Sequence, residues 1–312
     1  MRMLRTLFKS SVAIMAASLM LLLAPQMASA QATRTWVSGV GDDVNPCSRT
    51  APCKTFAGTI SKTAANGEID CLDNGGFGAV TITKSIMIDC TAAQAGITNP
   101  GTVAVNINAG AGNVILRHLN IDGVAMGVTA IRVNSAATLQ IDDVNIKGQS
   151  GNGIEIVPSA ATHVTINNVT VRESTQHGIW VAPTGGAVAK VTVARSTLSD
   201  NGLTGIRLND NCAATVSDSV LAGNGSSGAA ASSTTSPSGL TLDHVVSSGN
   251  HDGGVLAKGP SAVVWLSNTT LTGNNYGFFP PAGGGVYISF GNNRVAGNII
   301  TDGAPNQTIP QL

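Results

Sequence analysis

One spacing constrains this chain more than anything else in it. Ile141, Ile166, Val193, Val216 and Leu242 are each followed, 13 residues on, by Ile154, Ile179, Ile206, Ala229 and Val255. The first series advances by 25, 27, 23 and 26 residues and reaches Leu266 after 24 more. The second advances identically and reaches Phe278 after 23. Length variation therefore falls outside the 13-residue unit, in one loop region. Each unit reads as an alternating strand, a turn of small polar residues and a second short strand. Residues 139–157, LQIDDVNIKGQSGNGIEIV, form a regular copy and read as two walls of one coil.

Periods of 23 to 27 residues admit a leucine-rich repeat or a parallel β-helix. The leucine and asparagine ladder of the first is missing, so the expected fold is all-β: a single parallel β-helix, or solenoid. Asn201, Asn224, Asn250 and Asn274 fall at one turn position, with Gln149 and Ser174 in earlier coils. Coils lie about 4.8 Å apart, so these side chains stack as an amide column that bonds within itself and to the turn backbone. The same register predicts inward columns: Ile141 to Leu266; Val144, Val169, Ser196, Ser219, Val245 and Thr269; and Ile146, Val171, Leu198, Leu221, Ser247 and Leu271.

Before the repeats, Arg2, Arg5 and Lys9, an apolar run over 12–23 and Ala28-Ser29-Ala30 have the three parts of a secretory signal peptide. The apolar run is short of the roughly 18–20 residues of a membrane span. The expected organisation is a signal peptide over 1–30, an N-terminal cap segment over 31–67, the β-helix over 68–300 and a C-terminal tail over 301–312. Phe56, Ile60 and Ala64 place a short amphipathic helix over 55–65, stopped by Gly67 and covering the first open edge of the stack. Export predicts a secreted or periplasmic protein with no membrane span after cleavage. Cys47 and Cys53 are expected to bond in that compartment. Cys71 and Cys90 form a second pair or stack as inward thiols, and Cys212 is a buried small hydrophobe.

The repeats resemble those of secreted right-handed parallel β-helix proteins of the pectin lyase-like type. WVSGVGDDVNPCSRTAPCKTFAGTI is similar to the segment that opens many such bacterial proteins, and SFGNNRVAGN with TDGAP to the close of a largely uncharacterised subgroup. The resemblance implies a right-handed coil with a short N-terminal capping helix. It leaves function open, because the fold carries lyases, hydrolases, epimerases, adhesins and tailspike-like binders.

Charge and motifs narrow the chemistry. Seventeen basic and seventeen acidic residues give zero formal charge, which argues against a nucleic-acid partner. No Cys/His spacing marks a zinc site, no aligned column stacks three acids for calcium, and no cofactor motif appears. Polygalacturonase-like enzymes carry four motifs on neighbouring coils. Of these only the Asp-Asp has a match in the repeats, Asp142-Asp143, at a turn that such residues serve structurally. On the strand after the turn, Arg132, Glu155, Trp180 and Arg207 face outward on successive coils; Asp122, Lys147 and Arg172 do so before it. These are surface charge ladders or a ligand-binding floor with a Trp platform. Arg172, Glu173, His177 and Asp200 near one turn are the candidates for acid/base work, against solvated turn residues. His251-Asp252 repeats the pattern, and Trp265 with Tyr287 forms an outward column near the carboxyl end.

The expected function is binding of extracellular or cell-surface polysaccharide without a recognisable catalytic motif. Two alternatives stand beside it: a polysaccharide lyase or glycoside hydrolase with an atypical site, and an envelope or adhesin-like structural solenoid.

Overall fold

The computed structural model describes residues 31–310; the segment expected to be a signal peptide, residues 1–30, lies outside the described residues. The strands stack into three parallel sheets of twelve, ten and nine strands. One coil gives one strand to each sheet in turn. Thr138–Asp142 enters the first sheet, Asn145–Gln149 the second and Ile154–Ile156 the third. Residues 139–157 thus cross three walls rather than two. The first bend consists only of Asp143 and Val144, too little to show as a turn in the sequence.

Both anchor series hold in register. Ile141, Ile166, Val193, Val216, Leu242 and Leu266 are successive partners in the first sheet. Ile154, Ile179, Ile206, Ala229, Val255 and Phe278 are partners in the third. These residues are all buried, as one-face burial on a parallel coil requires. The loops of uneven length lie where the chain passes from the third sheet back to the first.

Each of the other two corners depends on one left-handed residue in the regular coils; the irregular second corner after Asp122 has two, Val124 and Ala125. At the first corner His118, Asp143, Asn168, Arg195, Asp218, His244 and Asn268 have φ between 47° and 56°. Asn and Asp tolerate this region best after glycine. At the second corner the column is Gly148, Glu173, Asp200, Gly223, Gly249, Gly273 and Gly297. Five glycines take the turn without a Cβ penalty, while Glu173 and Asp200 adopt it as L side chains.

Behind the second corner runs the amide column. Asn201, Asn224 and Asn250 each donate through Nδ2 to Oδ1 of the next Asn at 3.0, 2.9 and 2.8 Å. Each next Oδ1 also accepts the preceding Asn backbone N–H. The column runs beyond Asn274 through Asn298 to Asp302. At its other end Gln149 reaches past Gly127, its register partner, to bond Asn99. Ser174 joins through its backbone N–H alone, and its hydroxyl has no partner.

The ends differ from expectation in instructive ways. The helix is Phe56–Ile60, and Ala64 already belongs to the strand Thr63–Cys71. A single turn suffices, because Phe56 packs on Phe77 with ring centroids 5.3 Å apart and both are fully buried. The Gly-Asp-Asp-x-Asn-Pro loop is structural. Asp43 accepts from the backbone N–H of Lys54 and Thr55 and from the Thr55 hydroxyl, while Thr55 caps the helix. Tyr287 points inward rather than outward. It pairs with Val264, and the hydroxyl accepts from the Ala257 N–H and donates to the Phe279 carbonyl. The strand around it carries its buried residues at 287 and 289, so Trp265 lies opposite Ile288 instead. Gln307–Thr308 from the expected tail adds the twelfth strand of the first sheet.

Both disulfides, Cys47–Cys53 and Cys71–Cys90, are formed, the second across neighbouring strands of the first sheet. Cys212 is buried and free, and burial pushes its thiol up to about 12. No helix among the described residues is long and apolar enough to cross a membrane.

Candidate functional site

Alternation in the third sheet sends Ile154 and Ile156 inward and Glu155 outward. Arg132, Glu155, Trp180 and Arg207 are consequently direct partners on four successive coils. Their environments differ sharply. Arg132 donates from Nη2 and Nε to one Glu155 oxygen at 2.7 and 2.8 Å, and the Thr129 hydroxyl adds a third contact. Glu155, although outward, is only 6% exposed, because its neighbours on both sides cover it. Trp180 is half-buried. Arg207 is half-buried as well, yet no carboxylate among the described residues lies within ion-pair reach of it. Its side chain bonds Asn209 Oδ1 at 3.3 Å, and burial lowers its pKa. The column continues as Ala230 and Leu256. The result is a strip with a closed ion pair at one end, an aromatic surface, an unpaired cation and an apolar run.

The four acid/base candidates stand in different settings. Arg172 pairs with its neighbour Glu173 at 2.5 Å. Glu173 and Asp200 share the second corner column at φ 57° and 55°. His177 lies beyond that turn and is not the solvated residue its position suggested: it is 8% exposed, and Nδ1 accepts the Thr204 N–H at 3.2 Å. Burial, then the positive charge of Arg207, bring its pKa down to about 4. At neutral pH it is uncharged, with one ring nitrogen occupied by the backbone.

Other outward residues find local partners. Lys147 pairs with Asp122 at 3.0 Å. Asp142 pairs with Arg117, whereas Asp143 holds the first corner and bonds Asn168. Asp252 accepts the Ser226 hydroxyl, beside an exposed His251. The ring of Trp265 lies over Gly239, where a Cβ would stand 3.1 Å from it.

A second outward cluster was not anticipated. On the first sheet Trp36, Asp70, Asp89, Arg117 and Asp142 are successive partners, and Arg34 stands beside Glu68 in the next column. Arg34 bonds Asp70 and lies over the Trp36 ring, 5.7 Å from its centre. Burial, then the hydrogen-bonded Asp70 carboxyl, hold Glu68 above the usual carboxylate range. Among the described residues no group of three or more His, Cys, Asp or Glu is arranged to hold a metal ion. The sequence signal for this cluster was weak, since the coils here are irregular and Asp70 and Asp89 align only once Cys71 and Cys90 are known to bond.

Comparison with known proteins supports the architecture. Residues 184–309 match the family described as "Right handed beta helix region". No curated protein matches the sequence. Among solved structures the chain is similar to the A-module of the Azotobacter vinelandii mannuronan C-5 epimerase AlgE6, at 15% identity and a TM-score of 0.58, covering 75% of this chain and 68% of that one. It is similar to pectate lyase Pel9A, at 14% identity and a TM-score of 0.54, covering 84% and 76%. It is also similar to the GH136 lacto-N-biosidase of Eubacterium ramulus, at 12% identity and a TM-score of 0.50, covering 89% and 67%. At these identities the likeness concerns the backbone. The chain folds as a parallel β-helix, and its residues 184–309 match a right-handed β-helix family.

Proposed function

We propose that this protein is exported and binds extracellular or cell-surface polysaccharide along the outer face of the third sheet, over Trp180. The observation that carries the reading is the half-buried Trp180 on an outward column between the closed Arg132–Glu155 pair and Arg207. An aromatic face takes the apolar side of a sugar ring, and flanking donors take its hydroxyls. The two disulfides and the three-part amino terminus support export. The fold relatives named above are a mannuronan epimerase, a pectate lyase and a lacto-N-biosidase, all named for carbohydrates. A polysaccharide panel tests the reading: binding that drops about tenfold or more in Trp180→Ala sustains it. Binding that is absent, or indifferent to Trp180, refutes it.

One observation favours a second reading. Glu173 and Asp200 hold a left-handed corner that five other coils give to glycine, and backbone strain of this kind accompanies active sites. A lyase or hydrolase using Arg172, Glu173, His177 and Asp200 would release unsaturated products or new reducing ends from the same panel, and Glu173→Gln would abolish them.

A further inference from the structure

Beside Arg207 the outer face of the third sheet opens into a recess of about 280 Å³, with Ser232, Thr234, Asp210 and Lys258 on its walls. We infer that this recess is an anion subsite, taking a carboxylate or sulfate-ester substituent of the glycan. The inference rests on the polysaccharide reading and names the chemistry of one sugar position within it.

Three features point the same way. A half-buried guanidinium loses hydration, and that loss is normally offset by a carboxylate. Arg207 has Asn209 Oδ1 at 3.3 Å and no acid among the described residues, which leaves the rest of its donor fork free. The Ser232 hydroxyl is buried and has no hydrogen-bond partner. A buried hydroxyl without a partner is costly; it lies closed off behind the wall, and rotation of the Ser232 side chain is what would bring it to a bound oxyanion. Lys258 is the register partner of Ser232 on the following coil, exposed and without an ion-pair partner among the described residues. Arg207 and Lys258 therefore stand two coil steps apart, about 10 Å along the stack, and both line the recess.

The one acid on the wall keeps its negative charge, against the two cations, but turns its oxygens to the loop. Asp210 accepts the backbone N–H groups of Thr234, Thr235 and Ser236. Slight desolvation opposes the effect, but these bonds outweigh it and hold the carboxylate below its usual range. Its oxygens are committed to the loop, so the donors a guest meets are those of Arg207 and Lys258. Planar carboxylate and tetrahedral sulfate both suit a guanidinium fork.

The test is calorimetric titration of two matched pairs: a uronate polymer with its carboxyl-reduced form, and a sulfated galactan with its desulfated form. The wild type is expected to prefer the charged member of one pair about tenfold or more, with a preference that weakens as salt rises. The preferred pair identifies the anion. Arg207→Gln should erase the preference and Lys258→Gln reduce it. Equal affinity within both pairs, or a preference that survives in Lys258→Gln at full size, overturns the subsite and leaves the polysaccharide reading standing. If no polymer binds, the polysaccharide reading fails, and glucuronic acid and galactose 6-sulfate are titrated while the Trp180 indole resonance is followed. A saturable shift in the wild type that is weakened in Lys258→Gln sustains the anion site, and no shift overturns it. Because Lys258 is exposed, its variant keeps the test decisive even if Arg207→Gln fails to fold.

Discussion

Replacing Asn250 by leucine, which nearly conserves volume, should show how much of the stability of this solenoid resides in its amide column. Asn250 Nδ2 donates to Asn274 Oδ1 at 2.8 Å, to the Leu221 carbonyl at 3.0 Å and to the Ser247 hydroxyl at 3.1 Å. Its Oδ1 accepts from the Asn224 backbone at 3.1 Å and from Asn224 Nδ2 at 2.9 Å. Leucine leaves the Asn224 N–H buried without an acceptor, a loss of about 1–3 kcal/mol. The other groups keep partial partners: Asn224 Nδ2 still reaches the Leu198 carbonyl, and Asn274 Oδ1 still accepts the backbone N–H of residue 250. Adding a reduced contribution for each gives a total of about 3–5 kcal/mol, a large fraction of the ~5–15 kcal/mol that holds a typical domain. Asn298 is the control. It makes nearly the same bonds, to Asn274, Leu271 and Asp302, but is only half-buried. Water can replace its partners, so Asn298→Leu should cost about 1 kcal/mol. Urea unfolding of both variants, with amide exchange followed at Asn224, measures the difference. Equal costs, or an Asn224 amide that stays protected in Asn250→Leu, would refute the reasoning that burial rather than bond number sets the contribution.

Two further outcomes follow from buried titratable groups. His177 is neutral when folded, with a pKa near 4, whereas an unfolded histidine takes its proton near 6.5. The stability it contributes is complete above pH ~6.5 and is lost as pH falls toward 4, by up to ~3 kcal/mol; His177→Gln should flatten that part of the profile in urea titrations, and an unchanged slope would count against it. Cys212, with its thiol near 12, should resist alkylation at pH 8 in the native protein and react once urea unfolds it; labelling of the folded chain at the unfolded rate would contradict its burial.

Much of the architecture was legible because a stack repeats its own constraints. Ile141 and its partners had to be apolar in every coil, and Asn201 to Asn274 had to align for their amides to meet. Where a coil stops repeating, that logic has nothing to act on. Ala64 kept helical spacing with Phe56 and Ile60 although a single turn already covers the core. Tyr287 looked outward because it was set opposite Trp265, whereas the strands pair it with the inward Val264, one residue earlier. The candidate site was legible as a column but not as an environment. Arg132, Glu155, Trp180 and Arg207 are in register, yet only side-chain packing reveals that Glu155 is covered and Arg207 unpaired. Nor does periodicity indicate where a ring will turn, and so the direction of His177 was not foreseeable. Lys258 and Ser232 went unnoticed because a lysine on one strand and a serine on another carry no motif; two coils of register bring them together.

The uneven loops at the corner between the third and first sheets set a rule for modifying the chain. The passages that follow Ile154–Ile156, Ile179–Val181, Ile206–Leu208 and Ala229–Ser232 differ in length, yet the strands on either side remain in register. An insertion there is taken up by solvent-facing backbone and alters no core column or amide contact. The amide-bearing corner admits extra residues as well, between Asp122 and Gly127, but at a cost to its column: Gly127 stands where an amide would, and Gln149 must reach past it to Asn99. The coil therefore behaves as a scale with fixed graduations, along one edge of which peptides of different length can be mounted at intervals of about 4.8 Å.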